Sequence, residues 1–113
     1  MSAQQTKKEK KMSKKKLGYC IVRCQGAGVF MAQVVSRSKD GLQAKLKDSR
    51  RLWYWSGSSS LSELAVNGTN KPAECKFPVA MPTQEVTGVL EIIPVTAKAK
   101  DSIDAVKIWT MHT

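Results

Sequence analysis

The sequence predicts a small, β-rich α+β domain of about six mainly antiparallel strands, curled as a partial barrel or tight sandwich, with two short helices. Two observations carry this prediction. Short runs of β-branched and aromatic residues recur between clusters of turn residues, which is typical of strands. Two later segments instead show helical spacing of apolar residues behind a capping residue.

Composition divides the chain into a lysine-rich tail, residues 1–16, and a single domain, residues 17–113. The whole chain holds 19 Lys and Arg against 9 Asp and Glu. The tail lysines are Lys7, Lys8, Lys10, Lys11, Lys14, Lys15 and Lys16. Such a block predicts disorder and attraction to polyanions such as nucleic acid. Two alternatives stay open: a tail that only aids solubility, or a translation start at Met12.

The first half of the domain predicts four strands in meander order. The first two are the run from Tyr19 to Cys24 and the run from Val29 to Ser36. Lys39-Asp40-Gly41 predicts a hairpin with a type I′ turn, because Asp-Gly tolerates positive φ angles. Leu42, Ala44 and Leu46 then alternate with polar residues, which indicates a strand with one wet face. A bend at Asp48-Ser49 leads into the fourth strand.

That fourth strand, Arg50 to Trp55, holds the candidate binding residues Arg50, Arg51, Trp53, Tyr54 and Trp55. Strand alternation would place Arg51, Trp53 and Trp55 on one face and the other three residues, Leu52 among them, on the packed face. Rings beside guanidinium groups suit single-stranded nucleic acid, whose bases stack and whose phosphates pair. The same residues suit a protein interface. Alternatively, at least one of Trp53 and Trp55 fills the core.

The segment after Gly57 predicts a two-turn helix. Ser60 and Glu63 form a capping box, and Asn67-Gly68 stops the helix. Its apolar residues, Leu61, Leu64 and Ala65, are expected to dock against the preceding aromatic strand because so short a helix cannot stand alone.

The last third predicts a short edge segment over Cys75–Val79, a break at Pro82 and a core strand from Val86 to Ile93, with Gly88 as a bulge or close approach. Thr96 caps the second helix. Ala99, Ile103 and Val106 share its apolar face, Lys100 can pair with Asp104, and the chain ends as extended structure over Val106–Trp109.

Catalytic and metal chemistry find little support in the residue pattern. The chain has three cysteines, Cys20, Cys24 and Cys75, without zinc-knuckle spacing, and its one histidine, His112, lies at the C-terminus. No phosphate-binding glycine motif is present. No apolar run is long enough to cross a bilayer. We therefore expect an intracellular protein that is not an enzyme, with no metal and no cofactor.

Several blocks together carry a family resemblance: Arg50-Arg51-Leu52-Trp53-Tyr54-Trp55-Ser56-Gly57, Cys75-Lys76-Phe77-Pro78 and Glu91-Ile92-Ile93-Pro94. Over residues 19–109 the chain resembles a family of short tailed-bacteriophage proteins of unknown activity. The resemblance implies work in the cytoplasm of a bacterial host and implies no activity.

The functional expectation is a non-enzymatic phage accessory protein that acts in the host cytoplasm by binding nucleic acid, a nucleotide or a host protein. The alternative is a virion component, such as a minor head or tail protein. No membrane partner is expected, and the oligomeric state stays open.

Overall fold

A computed structural model describes residues 18–110 of the chain. The predicted tail over residues 1–16, with Met12 and the seven candidate lysines, and His112 lie outside the described residues. In order, the elements are β1 (Cys20–Cys24), β2 (Gly28–Arg37), β3 (Gln43–Arg51), α1 (Leu61–Asn67), a 3₁₀ turn (Pro72–Glu74), β4 (Met81–Thr87), β5 (Val89–Pro94) and α2 (Ala97–Asp104).

The strands form one antiparallel sheet in the order β4-β3-β2-β1-β5. The predicted β-rich α+β class is therefore confirmed. The sheet has five strands rather than about six, and it is not closed into a barrel. Among residues 18–110, no helix has the length and apolar character needed to span a bilayer.

The hairpin predicted at Lys39–Gly41 joins β2 to β3, but its turn is not type I′. Gly41 has φ +77°, whereas Asp48 is the only non-glycine residue of positive φ between residues 18 and 110. A type I′ turn needs positive φ at two successive positions. Asp40 contributes instead through its side chain, whose Oδ1 accepts from Ser38 Oγ and from the Leu42 amide.

Strand β3 continues through the predicted bend and ends earlier than expected. The pairs Gln33–Lys47 and Met31–Arg50 leave an extra residue on β3, so the bend at Asp48 is a bulge, with φ +51°. The prediction of a separate strand over Arg50–Trp55 is wrong, because the ladder ends at Arg51.

The predicted core strand from Val86 to Ile93 is also wrong. Gly88, with φ +70°, divides it into β4 and β5, which form opposite edges of the sheet. The edges meet at this corner, where Gln25 donates to the Gly88 carbonyl at 2.8 Å and Val89 donates to the Leu42 carbonyl at 3.0 Å. Pro82 causes no break, since it lies inside the edge strand β4, where an absent N–H is tolerated.

Apolar side chains pack on both faces of the curled sheet. One cluster lies between the sheet and the helices: Ile21, Met31, Leu52, Leu64, Ala65, Cys75, Phe77, Ile103 and Val106. The other lies on the opposite face: Val22, Cys24, Phe30, Ala32, Ala44, Leu46, Val86 and Val89. Each cluster covers one face of the sheet, and both contain residues of β1 and β2, so these two strands are buried on both sides.

Both helices form where predicted. Ser60 Oγ accepts from the Glu63 amide at 3.1 Å, while the Glu63 carboxylate accepts from the Ser59 amide, a contact that lowers the pKa of Glu63. Thr96 Oγ1 accepts from the Ala99 amide and donates to the Val66 carbonyl, which ties the helices together. As expected, α1 docks in the same core cluster as the preceding aromatic segment, since Leu64 shares that cluster with Leu52 and Trp55 packs against it. The helix also packs on α2, β1 and β5.

Candidate functional site

Three aromatic rings surround one lysine at the surface, and we name Trp53, Tyr54, Lys76 and Trp109 the aromatic–lysine cluster. The indoles of Trp53 and Trp109 stack with centroids 5.1 Å apart and planes 11° apart. Lys76 Nζ lies 5.4 Å from the Trp53 centroid, 5.7 Å from that of Trp109 and 5.9 Å from that of Tyr54. The near-equal distances to both indoles place the ammonium beside the stack.

The cluster is open to solvent despite its aromatic character. Trp53 is 57% exposed and Tyr54 is 51% exposed. Indole and phenol rings of folded domains are usually largely buried, because each carries a large apolar surface. Stacking on Trp109 covers part of Trp53 and leaves more than half of its surface available for contact.

Backbone pairing brings together the three segments that carry these side chains. Tyr54 and Lys76 exchange amide–carbonyl hydrogen bonds in an isolated antiparallel bridge. Phe77 forms a parallel bridge with Ile108, and the Trp109 amide donates to the Phe77 carbonyl at 3.0 Å. The segment around Phe77 therefore lies between the other two and fixes their spacing.

Arg50 lies beneath this arrangement and is not part of its surface. Its side chain donates to four backbone carbonyls: those of Pro78 (3.1 Å), Ile103 (3.0 Å), Phe77 (3.0 Å) and Val106 (2.8 Å). The residue is 7% exposed, and burial lowers its pKa. The prediction of Arg50 as a ligand-binding residue is corrected, because its donors are engaged inside the fold.

The other candidates of the same stretch are separated from one another. Arg51 is exposed and places its guanidinium carbon 4.8 Å from the centroid of Phe30, on the face of the sheet opposite Arg50. Trp55 is half-buried and packs against the core under the helices. Leu52 is buried, as predicted, but Tyr54 is exposed rather than packed. The shared face predicted for Arg51, Trp53 and Trp55 is therefore wrong.

Sequence reasoning missed Lys76 and Trp109 as members of the site. Both lie in segments predicted as extended, so a local signal existed for their conformation. The bridge between Phe77 and Ile108, however, joins positions far apart in the chain. A pattern of single residues carries no information about such a pairing, and the cluster could not be assembled from it.

The three cysteine thiols are all buried, including that of Cys75, which precedes Lys76 in the chain. Burial raises the pKa of the Cys20 and Cys24 thiols, which disfavours the nucleophilic thiolate. Between residues 18 and 110, no three His, Cys, Asp or Glu side chains come close enough to hold a metal ion. A shallow pocket of about 250 Å³ lies where the β2–β3 hairpin meets β4, and there Lys45 and Glu85 pair with each other.

A family model described as Domain of unknown function (DUF6948) matches residues 17–103. The match covers the whole sheet and nearly all of α2 but ends before Trp109. No curated protein and no solved structure matches the chain.

Proposed function

The chain belongs to the family Domain of unknown function (DUF6948), and since that family assigns no activity, we propose from the cluster itself that the domain binds single-stranded nucleic acid on its aromatic–lysine cluster. The observation that carries the proposal is Trp53, stacked on Trp109 and still largely exposed beside the Lys76 ammonium. Such a stack offers an indole face to an unpaired base.

The energetics favour an unpaired base as the stacking partner. A base stacked on an aromatic side chain contributes about 1–3 kcal/mol, largely independent of its identity. Trp53 is held in place by Trp109 before any ligand arrives, so little conformational entropy is lost on binding. Tyr54, the neighbouring exposed ring, offers a second base contact.

Charge favours an anionic ligand. No ion pair among residues 18–110 involves Lys76, so its ammonium can contact a phosphate while the base stacks beside it. The chain has a formal net charge of +10, and counterion release favours its binding to a polyanion. Arg51 stays a candidate phosphate contact, since it is exposed, and so do the tail lysines.

The residues of the cluster favour binding over catalysis. Rings and a single ammonium include no nucleophile with an adjacent general base, the arrangement on which covalent catalysis depends. We propose a non-enzymatic accessory protein that works in the cytoplasm of a bacterial host, in keeping with the resemblance to tailed-phage proteins. A virion component is the alternative.

Fluorescence anisotropy with a labelled oligothymidine strand tests the binding proposal. Trp53→Ala should weaken binding by about tenfold, for the loss of one stacked base. Lys76→Ala should also weaken binding, through the loss of a phosphate contact. Val35→Ala, at an apolar residue of β2 with 59% exposure, and Lys39→Ala in the hairpin serve as matched controls. Equal affinity of all four variants and the parent would refute the cluster as the binding surface.

Mass spectrometry of purified phage particles tests whether the protein is an accessory factor or a virion component. An accessory protein should be absent from the particles although it is abundant in the infected cell. A fixed copy number per particle would instead establish the virion alternative.

A further inference from the structure

We propose that Arg50 is the positioning residue that holds the aromatic–lysine cluster in its ligand-binding arrangement, an inference that rests on the proposed function only for the identity of the ligand. The cluster is built from three chain segments. Arg50 belongs to the segment that continues into Trp53, and its guanidinium bonds to carbonyls in both of the others.

One carbonyl links the guanidinium directly to a stacked indole. The Phe77 oxygen accepts from Arg50 Nη2 at 3.0 Å and from the Trp109 amide at 3.0 Å. Since a carbonyl oxygen has two lone pairs, both contacts can form together. The guanidinium thus fixes the oxygen that in turn holds the backbone of Trp109.

Two further contacts of the guanidinium hold the end of α2 and the start of the segment that carries Trp109. Arg50 Nη2 also donates to the Val106 carbonyl at 2.8 Å, and Nη1 donates to that of Ile103 at 3.0 Å near the C-terminal end of α2. Carbonyls at a helix C-terminus carry partial negative charge and favour a cation. Arg50 therefore fixes the path of the chain where it leaves α2 and leads to Trp109.

The requirement is specific for arginine. A planar guanidinium directs five N–H donors in a fixed fork, whereas a lysine ammonium is a compact point charge with three donors. Lysine at this position can keep the positive charge, but its three donors on one atom cannot serve four carbonyls. The guanidinium carbon also lies 5.5 Å from the Phe77 ring centroid, a contact favourable to a planar cation.

Proton NMR of the ligand-free protein tests the proposal in a Trp55→Phe background, which leaves Trp53 and Trp109 as the indoles. Stacked rings shift each other's protons through their ring currents, and Trp109→Ala supplies the unstacked reference for Trp53. In Arg50→Lys, with far-ultraviolet circular dichroism unchanged, the Trp53 shifts should move to that reference. In Arg51→Lys, the matched control, they should stay. Parental shifts in Arg50→Lys would overturn the proposal.

If Arg50→Lys does not fold, hydrogen exchange in the unsubstituted protein decides the matter. The Arg50 side-chain N–H groups and the Trp109 amide should exchange through the same opening, with equal protection across a denaturant series. If the protection factor of the Trp109 amide is about tenfold lower than that of the Arg50 side-chain groups, the segment of Trp109 opens without Arg50 and the proposal is overturned.

Oligothymidine binding then separates the two proposals. With a folded Arg50→Lys, affinity should fall to that of Trp53→Ala, about tenfold below the parent. An unchanged affinity would overturn the role of Arg50 in ligand binding. A parent that does not bind refutes the nucleic-acid proposal, while the ring-current shifts still decide whether Arg50 positions the stack.

Discussion

Arg50 Nη1 donates to the carbonyl oxygen of Ile103 across 3.0 Å, in the last turn of α2. A buried cation is stable when its donors are hydrogen-bonded, and here backbone carbonyls accept from four of the five N–H groups of the guanidinium. The same side chain joins the sheet to the helix and to the segment around Phe77. The fold and the candidate site therefore depend on a common contact.

Replacement of Arg50 by methionine should destabilise the domain strongly. Four carbonyl oxygens lose a contact, but those of Phe77 and Ile103 keep a backbone N–H partner. Those of Pro78 and Val106 lose their donor, and each unsatisfied buried group costs about 1–3 kcal/mol. The expected loss for those two groups together is about 2–6 kcal/mol in the free energy of unfolding. Guanidinium chloride denaturation measures it.

Arg51→Met is the matched control for that measurement. Arg51 is exposed, and its contact with Phe30 is worth about 0.5–1 kcal/mol at such a site. Equal losses for the two substitutions would contradict the structural distinction between these adjacent arginines.

The elements set by neighbouring residues could be predicted from the sequence. Ser60 and Thr96 cap the helices through hydrogen bonds that span three residues, and the Asp40-Gly41 hairpin depends on a turn of a few residues. The confirmed burial of Ala99 and Ile103 follows from helical periodicity in the same way, whereas Val106 is buried beyond the end of α2. The residues that determine these features lie within a few positions of one another, so they can be recognised in the sequence.

Features set by distant contacts could not be predicted. The sequence marks Gly88 as a special position, but its role in joining opposite sheet edges depends on Gln25 and Leu42. Arg50 is a candidate binding residue from its sequence, and the carbonyls that bury it come from segments remote in the chain. Trp53, by contrast, is a candidate for either the site or the core from its sequence. The structure shows it exposed, and its stacking partner, Trp109, comes from a remote segment that the sequence around Trp53 does not reveal.

The two leucines of α1 should differ in their contribution to stability. Leu64 is fully buried at 0% exposure, whereas Leu61 is partly buried. Leu64→Ala should therefore cost about 2–5 kcal/mol, and Leu61→Ala distinctly less. Chemical denaturation of both variants tests the difference, and a larger loss for Leu61→Ala would contradict the described orientation of the helix.

Trp53 and Trp55 should separate binding from stability. Trp53 is exposed, so Trp53→Ala should weaken oligonucleotide binding with a stability loss below about 1 kcal/mol. Trp55 packs against the core, so Trp55→Ala should destabilise the domain by about 2 kcal/mol or more. Emission in single-tryptophan variants gives a direct check. A blue-shifted Trp53 that acrylamide cannot quench would contradict its exposure.

Stability should fall in alkaline solution because of the buried Cys24 thiol. Burial raises its pKa in the folded state above the ordinary value of 9.0, so the folded protein retains a proton that the unfolded chain releases. The thiol therefore destabilises the fold as pH rises through the unfolded pKa toward the folded one. Melting temperatures at neutral and alkaline pH should differ less in Cys24→Ala than in the parent. An identical pH dependence would exclude this contribution.

Deletion of residues 1–16 should weaken oligonucleotide binding without destabilising the domain. The tail holds seven lysines against Glu9, and each phosphate of a single strand that is no longer neutralised removes about 0.7 units from the slope of log K against log salt. The affinity should therefore fall most at low salt, and the slope should become flatter. Trp53→Ala removes stacking and should lower affinity with little change in slope, which makes it the control. If deletion leaves both affinity and slope unchanged, the tail lysines do not bind phosphate and binding is confined to the folded domain.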